Sequence, residues 1–440
     1  MLRHESCHKS MSIPNDFILQ MQQILGDEYP EFERALRLPA TTSVRVNSKV
    51  EASCLEVLKD AELVPYCGTG YTLPKRPEFT LDPMLHAGAY YVQEASSMYL
   101  ETVVRKYVNG RVAALDLCAA PGGKSTHLAQ LLTPDSLLVS NEIMPQRANI
   151  LCENLTKWGN VNTIVTNNKP SDFSKAGSMF DLLVTDVPCS GEGMFRKEPK
   201  AVEDWSLQAV QMCAERQRSI LEDVWDALKE GGLLIYSTCT FNRSEDEDNV
   251  EWIASELGAE VLEQKHFYFH NTLGEGFYIA VLRKTTVGGG KPKVKPGKFE
   301  KAPMSASYIN EPEKFRFIKV GECISAVPYA DANVYAWFAA NFRTLKCGVE
   351  VCAFKGKDEI PAHALAVSKI IDADMTDSVE VDKVTALDYL RREAITISGD
   401  TKGYVLLKYN GTPIGWVKNL GSRANNLYPE YWRVRVKVDV

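Results

Sequence analysis

The 440-residue chain has no Cys-x-x-Cys pair and no recurrence of Cys and His at zinc-ligand spacing. A zinc ribbon, a zinc finger and a CxxC redox centre are therefore excluded, and no metal site is expected. Its 11 cysteines are an odd number, which argues against a secreted disulfide framework and for a reducing cytoplasm. No uninterrupted apolar run approaches the ~20 residues that cross a bilayer, and no apolar stretch of the signal-peptide kind follows MLRHESCHKS. Positive charge is not in excess either: 50 Lys+Arg against 57 Asp+Glu give a net charge of −7, so any nucleic-acid surface must be local. Hydrophobic residues at 45% and charged ones at 24% describe an ordinary globular protein, and its length calls for two or three domains.

Residues 1–12, with Arg3, His4, His8 and Lys9 ahead of a second Met at position 11, read as a loose leader. Residues 13–108 mix helical patterns such as DFILQMQQILGDEYPEFERAL with short strand candidates around TSVRVN and YTL, an N-terminal α+β region. From 109 to 284 the runs RVAALDLC, SLLVSNE, NTIVT, FDLLVTD and GGLLIYST alternate with helix-like stretches and end on GFYIAVLRK. That alternation predicts an α/β fold with a doubly wound, Rossmann-like parallel sheet. Residues 285–302 are rich in Gly, Pro and Lys, the composition of a flexible linker. Residues 303–379 read as α+β, and 380–440 end in the strand candidates GYVLLKYN, PIGWVKN and YWRVRVKV. From Lys402 to the end, seven basic residues (Lys402, Lys408, Lys418, Arg423, Arg433, Arg435, Lys437) stand against two acids, among Tyr and Trp, so this end is the expected RNA surface.

The segment LDLCAAPGGKSTHLAQ joins a strand to a helix, and its small residues let backbone N–H groups at a helix N-terminus approach a ligand closely. It is not a P-loop, because that motif needs glycine where Cys118 stands, and Gly-x-Gly-x-x-Gly is absent as well. Glu142 follows the second strand, where an acid of a nucleotide-type site accepts hydrogen bonds from ribose. Asp186 and Cys189 lie at the carboxyl end of the fourth strand and Cys239 at that of the fifth, the edge at which open α/β sheets place their ligands. Ser244 and Glu247 form an S-x-x-E box that predicts a helix start, and the run Glu245 to Asp248 is read as favourable charge at that helix N-terminus.

In order, CAAPGGKS, DVPCSGEGMFRK and YSTCT resemble the RNA cytosine-5 methyltransferases of the Nop/Sun family. RVN at Arg45 to Asn47, QEASS at Gln93 to Ser97 and GEGFYIAVLRK at Gly274 to Lys284 are similar to further segments of it. The ending NNLYP…WRV resembles the RsmF branch. This resemblance implies an enzyme that transfers methyl from S-adenosylmethionine to carbon 5 of cytosine in RNA. Small-subunit ribosomal RNA is the favoured substrate, and a C-terminal PUA-like domain is implied. It implies Cys239 as the nucleophile and Cys189 as the thiol that assists release. Residues Cys118, Ala119, Ala120, Pro121, Gly122, Gly123 and Lys124 would cradle the cofactor, with Glu142 on its ribose and Asp186 or Lys124 against the base. Two positions depart from the family pattern: Asn168 stands where an acid is expected to meet the adenine, and Val187 where Ala is usual. The protein is expected to act as a monomer in the cytoplasm, with no membrane. The same chemistry on transfer RNA and a non-catalytic RNA-binding ribosome-assembly factor are the alternatives, and the pair of strand-end cysteines speaks against the second.

Overall fold

The computed structural model describes residues 13–374, 376–397 and 402–436; the expected leader, Lys437 and the end of the last strand candidate lie outside them. An eight-stranded sheet forms the centre. Its strands in chain order are β1 (Ala113–Asp116), β2 (Leu137–Asn141), β3 (Thr163–Thr166), β4 (Phe180–Asp186), β5 (Leu228–Thr238), β6 (Ala259–Phe267), β7 (Phe277–Lys284) and β8 (Thr344–Cys347). In space they run β6-β7-β5-β4-β1-β2-β3-β8. The first five are parallel, as their continuous apolar runs require, and β6, β7 and β8 pair antiparallel. Successive residues point to opposite faces: Leu115, Val139, Leu183 and Leu234 pack with Leu221 and Val224, whereas Ala114, Leu138, Leu182 and Leu233 pack with Val103, Leu128 and Ala129. The chain winds outward from β1 through β2 to β3, then returns to lay β4 and β5 on the other side of β1. This reversal opens a crevice at the carboxyl ends of β1 and β4.

The central sheet is not completed within 109–284. Strand β8 comes from beyond the Gly/Pro/Lys stretch and covers the free edge of β3, with the buried Lys346 ammonium donating to Thr163 Oγ1 at 2.7 Å. The stretch itself has no regular structure at Gly289 and Gly290, yet it is fastened to the sheet, with Gly289 N–H donating to the Asp226 carbonyl and Ser178 N–H to that of Gly290.

Three smaller sheets surround this core. The N-terminal one holds Glu62–Leu63, Gly70–Leu73, Thr42–Val46 and Tyr90–Val92; ahead of it, the expected helix is split into Asn15–Leu25 and Tyr29–Leu36 at Gly26. The C-terminal one holds Ser378–Glu380, Gly403–Tyr409, Thr412–Asn419 and Ala424–Asn426. YWRVRVKV adds no strand to it over the described residues. Glu430–Trp432 forms a short helical turn instead, and Tyr428 and Val434 pack inward as isolated anchors. Among the described residues no helix is long and apolar enough to cross a membrane.

Candidate active site

The turn after β1 is fixed to its neighbours by backbone bonds, Leu117 N–H to the Val184 carbonyl and Ala119 N–H to that of Asn141. It enters the helix Gly123–Leu131 through Gly122, whose φ of 118° suits glycine and strains any other residue. A Cβ there would also stand 3.3 Å from Leu151 Cδ1. The turn faces a cavity of about 380 Å³, also lined by Asp116, Asp186, Cys239, Tyr91, Gln93 and Phe277. The Lys124 ammonium lies 2.9 Å from Asp186 Oδ1, which also accepts the Ser237 hydroxyl at 2.9 Å. Asp116 is fully buried and accepts the Ser125 hydroxyl at 2.6 Å, while its Oδ1 has no partner among the described residues. Burial pushes its carboxyl up to about 7, against the Ser125 hydrogen bond. The Cys118 thiol is pushed up to about 12, again chiefly by burial, so it is a neutral wall group rather than a nucleophile.

The two strand-end cysteines meet. Asp186 and Ser237 are in register on the parallel neighbours β4 and β5, and the loops beyond them bring Cys189 Sγ to 3.0 Å from Cys239 Sγ. The Cys239 N–H points at Cys189 Sγ at 3.4 Å. The neighbouring Cys239 and burial hold the Cys189 thiol well above its ordinary pKa. The loops beside the thiols touch through backbone: Gly193 N–H donates to the Cys239 carbonyl and Gly276 N–H to that of Gly193. A Cβ on Gly276 would stand 2.6 Å from Gly193 Cα, which is why glycine is needed at this crossing.

Of the expected site residues, Cys118 to Pro121, Gly123, Lys124, Asp186 and Cys239 line one cavity, and Cys189 abuts it through Cys239. Gly122 shapes the turn from behind. Glu142 and Asn168 stand beside the cavity and do not line it. Glu142 accepts the Met144 N–H at 2.8 Å and pairs with Arg147 at 3.3 Å; Arg147 in turn donates to the Ala120 carbonyl at 2.6 Å. Asn168 donates to Asp172 at 3.4 Å, and its buried Oδ1 has no partner among the described residues.

The capping-box expectation is corrected. The helix begins at Glu247 with Asp246 at its N-cap, and no side chain caps it. The acidic run is largely internal because it braces the thiol loops. Glu245 accepts the Ser190 N–H at 3.0 Å, Gln217 at 2.7 Å and Asn242 at 2.8 Å; Asp246 accepts the Thr238 hydroxyl at 2.6 Å. Glu192, also fully buried, accepts the Phe241 N–H at 2.8 Å and the Trp205 indole at 2.9 Å. Sequence reasoning missed Glu245, since four acids before a helix look like surface charge, and Glu192, a single acid in a glycine-rich loop with no mark of burial. It also missed the wall supplied by the N-terminal region. There the fully buried Arg45 guanidinium donates to Gln93 Oε1 at 2.8 Å and to the Thr126 hydroxyl at 2.6 Å. A third grouping, Cys67, Glu101 and His127, brings metal-ligand types within reach of one another that no spacing in the sequence links. The Glu101 carboxylate there is satisfied by Cys67, His127 and Arg105. In the C-terminal domain, Lys402, Arg423, Arg433 and Arg435 are exposed. Lys408 instead donates to the Ala373 carbonyl at 2.9 Å, and Lys418 lies 5.3 Å from the Tyr404 ring centre.

Comparison with known proteins matches three family models along the chain. They are the N-terminal domain of 16S rRNA methyltransferase RsmF over residues 13–95, 16S rRNA methyltransferase RsmB/F over 106–283, and the methyltransferase RsmF PUA domain over 376–434. Ribosomal RNA small subunit methyltransferase F of Aliivibrio fischeri is 29% identical over 96% of this chain and 98% of its own. The protein of that name from Pectobacterium atrosepticum is 28% identical over 95% of each. Among solved structures, a methyltransferase homolog protein from Pyrococcus horikoshii superposes with a TM-score of 0.54 at 25% identity, over 62% of this chain and 96% of its own. NSun6 from the same organism, solved with SFG, gives 0.55 at 20% identity over 63% and 99%, a likeness of fold. The glycine turn at a helix N-terminus and the Asp116 oxygen left without a partner among the described residues, both on the cavity wall, fit S-adenosylmethionine. With all three family models matched in order, the chain is similar over most of its length to the ribosomal RNA methyltransferases of the RsmB/RsmF kind.

Proposed function

We propose that this protein methylates carbon 5 of a cytosine in small-subunit ribosomal RNA through a covalent adduct between Cys239 and carbon 6. The observation that carries the reading is the contact of two thiols, 3.0 Å apart at adjoining strand ends, at the wall of the cavity that holds the glycine turn and the Lys124–Asp186 pair. Carbon 5 of cytosine is a poor nucleophile until a group adds to carbon 6, and a thiolate is the side chain suited to that addition. Cys239 releases its proton to solvent and its sulfur bonds carbon 6; the carbon 5–carbon 6 π bond opens, and the negative charge, shared by carbon 5 and the conjugated N3 and O2, is stabilised by a hydrogen bond from Lys124, which Asp186 positions. Bound S-adenosylmethionine supplies the electrophilic methyl group. Loss of the carbon 5 proton then restores the ring double bond and expels Cys239 as thiolate, and Cys189, at its side, assists that release. The base must leave its stack to reach the thiols. On this reading Cys118 to Lys124, Glu142, Asn168 and Asp186 hold the cofactor, and residues 380–440 form the PUA-like module that engages RNA.

Bisulfite sequencing of 16S and transfer RNA, from cells with and without the gene, tests the substrate: one 16S cytosine should lose protection. A transfer RNA position lost instead would replace the substrate, and no change would reject the activity. The Cys189→Ala variant, mixed with 16S RNA and S-adenosylmethionine, should accumulate a denaturant-resistant protein–RNA adduct. Absence of the adduct with Cys239 intact would leave Cys189 a packing role only.

A further inference from the structure

Where the N-terminal region, the segment after β8 and the C-terminal domain meet, a second cavity of about 420 Å³ is lined by Ser48, Lys49, Val367, Lys369, Gly411 and Thr412, among others. Among the described residues no carboxylate lines it and neither lysine has an acid within ion-pair distance. Both lysines are half-buried, Lys49 deeper and Lys369 beside the exposed Ser48, so their ammonium groups stand together where an incoming anion can reach them. Lys49 has a structural account, since it donates to the carbonyls of Lys157 at 2.7 Å and Val367 at 2.9 Å. Lys369 is held more loosely: among the described residues its ammonium donates to the Ser48 hydroxyl alone, at 3.2 Å, and lies 6.0 Å from the Trp158 ring, whose other neighbour is the Arg45 guanidinium at 4.5 Å. Burial lowers the Lys369 pKa to about 8, with Arg45 adding to the effect, and Lys369 itself depresses that of Lys49. The cavity opens to solvent at Ser48 and Gly411, both exposed.

The strand Thr42–Val46 connects this cavity with the cofactor turn. Arg45, on that strand, donates to the Gly123 carbonyl at 3.4 Å, and Lys49 follows four residues later, at most about 14 Å of extended chain away. We propose that this seam is a backbone-phosphate site for the substrate RNA, with Lys369 and Lys49 as its cations and the Ser48 and Thr412 hydroxyls as further donors. The inference rests on the RNA substrate proposed above and adds where the strand is gripped outside the cytosine pocket. It also sets RNA contact partly on the N-terminal region and the segment after β8, rather than on the exposed basic end of the chain alone.

The test uses the full-length protein, in vitro transcribed 16S RNA and filter binding over a series of KCl concentrations. Lys369→Ala should weaken binding on the order of tenfold, Lys369→Glu further, and the slope of log affinity against log salt should fall by about 1. Melting temperature and cofactor affinity should stay at wild-type values, which separates the effect from misfolding. Lys49→Gln, which keeps a donor for the two carbonyls, should reproduce the slope change. Inorganic phosphate alone distinguishes the source of the anion. If it stabilises wild type but not Lys369→Glu while RNA affinity is the same in both, the cavity serves a free anion and the RNA assignment is overturned. Wild-type binding matched by all three variants in affinity and slope overturns the site while leaving the enzyme's function intact. Failure of the wild type itself to bind 16S RNA defeats the substrate reading, and this ligand with it.

Discussion

The two halves of the crevice are built differently. On the β1–β2 side the ligand surface is mostly backbone: a turn shaped by Gly122, small residues from Cys118 to Pro121 and a helix N-terminus, with Asp116 buried behind it. On the β4–β5 side it is side chains, two thiols in contact and two buried carboxylates, Glu192 and Glu245, whose acceptor oxygens hold the loops that carry them. The first half depends on conformation and the second on complete hydrogen bonding. Substitutions should therefore divide into those that change cofactor affinity and those that change turnover.

The sharpest test of that division is Cys239→Ala. Methyl transfer, followed with tritiated cofactor, should fall by at least about a thousandfold, because no other group in the cavity can add to carbon 6. Calorimetric cofactor affinity should hold, and residual turnover near wild type would remove Cys239 as the nucleophile. Glu245→Gln comes next. It keeps volume and places an amide donor among the Ser190, Gln217 and Asn242 donors, so the Cys189 loop should shift and kcat drop by about ten- to a hundredfold with cofactor affinity unchanged. A matching loss of cofactor affinity would erase the division between the halves.

Gly122→Ala probes the other half. The left-handed φ and the Leu151 contact should cost about 1–2 kcal/mol, seen as a weaker cofactor Kd, while kcat at saturating cofactor stays within about twofold. Asp116 gives the smallest effect and concerns pH. Its carboxyl, near 3.8 when exposed, is raised to about 7 in the fold, so the native state holds the proton more tightly than the unfolded chain. Its stabilising contribution is full below pH 4 and is lost as pH rises to 7. Relative to wild type, Asp116→Asn should therefore melt progressively higher from pH 4 to 7 and level off above. A constant difference across that range would place the titration elsewhere.

Much of the site could be read along the chain, because each motif there is one strand and the loop that follows it. Continuous apolar runs identified β1 to β5, and the strand–helix alternation placed Cys118 to Lys124, Asp186, Cys189 and Cys239 at one edge of the sheet. Glu245 was legible only as charge: a carboxylate written in an acidic run carries no mark of burial until Ser190 and Gln217, 55 and 28 residues away, supply its donors.

The sequence by itself determined the architecture and the chemistry of the crevice, since hydrophobic periodicity and glycine at Gly122 are local properties that no distant residue has to supply. Tertiary structure alone decided the rest. It brought one thiol to 3.0 Å from the other, covered the edge of β3 with β8 from beyond the Gly/Pro/Lys stretch, walled the cavity with Gln93 held by Arg45, and left Lys49 and Lys369 together with no acid beside them among the described residues. Each of these is a contact between residues far apart in the chain, set by how the sheets pack, and pairings of that kind leave no periodic trace in the sequence.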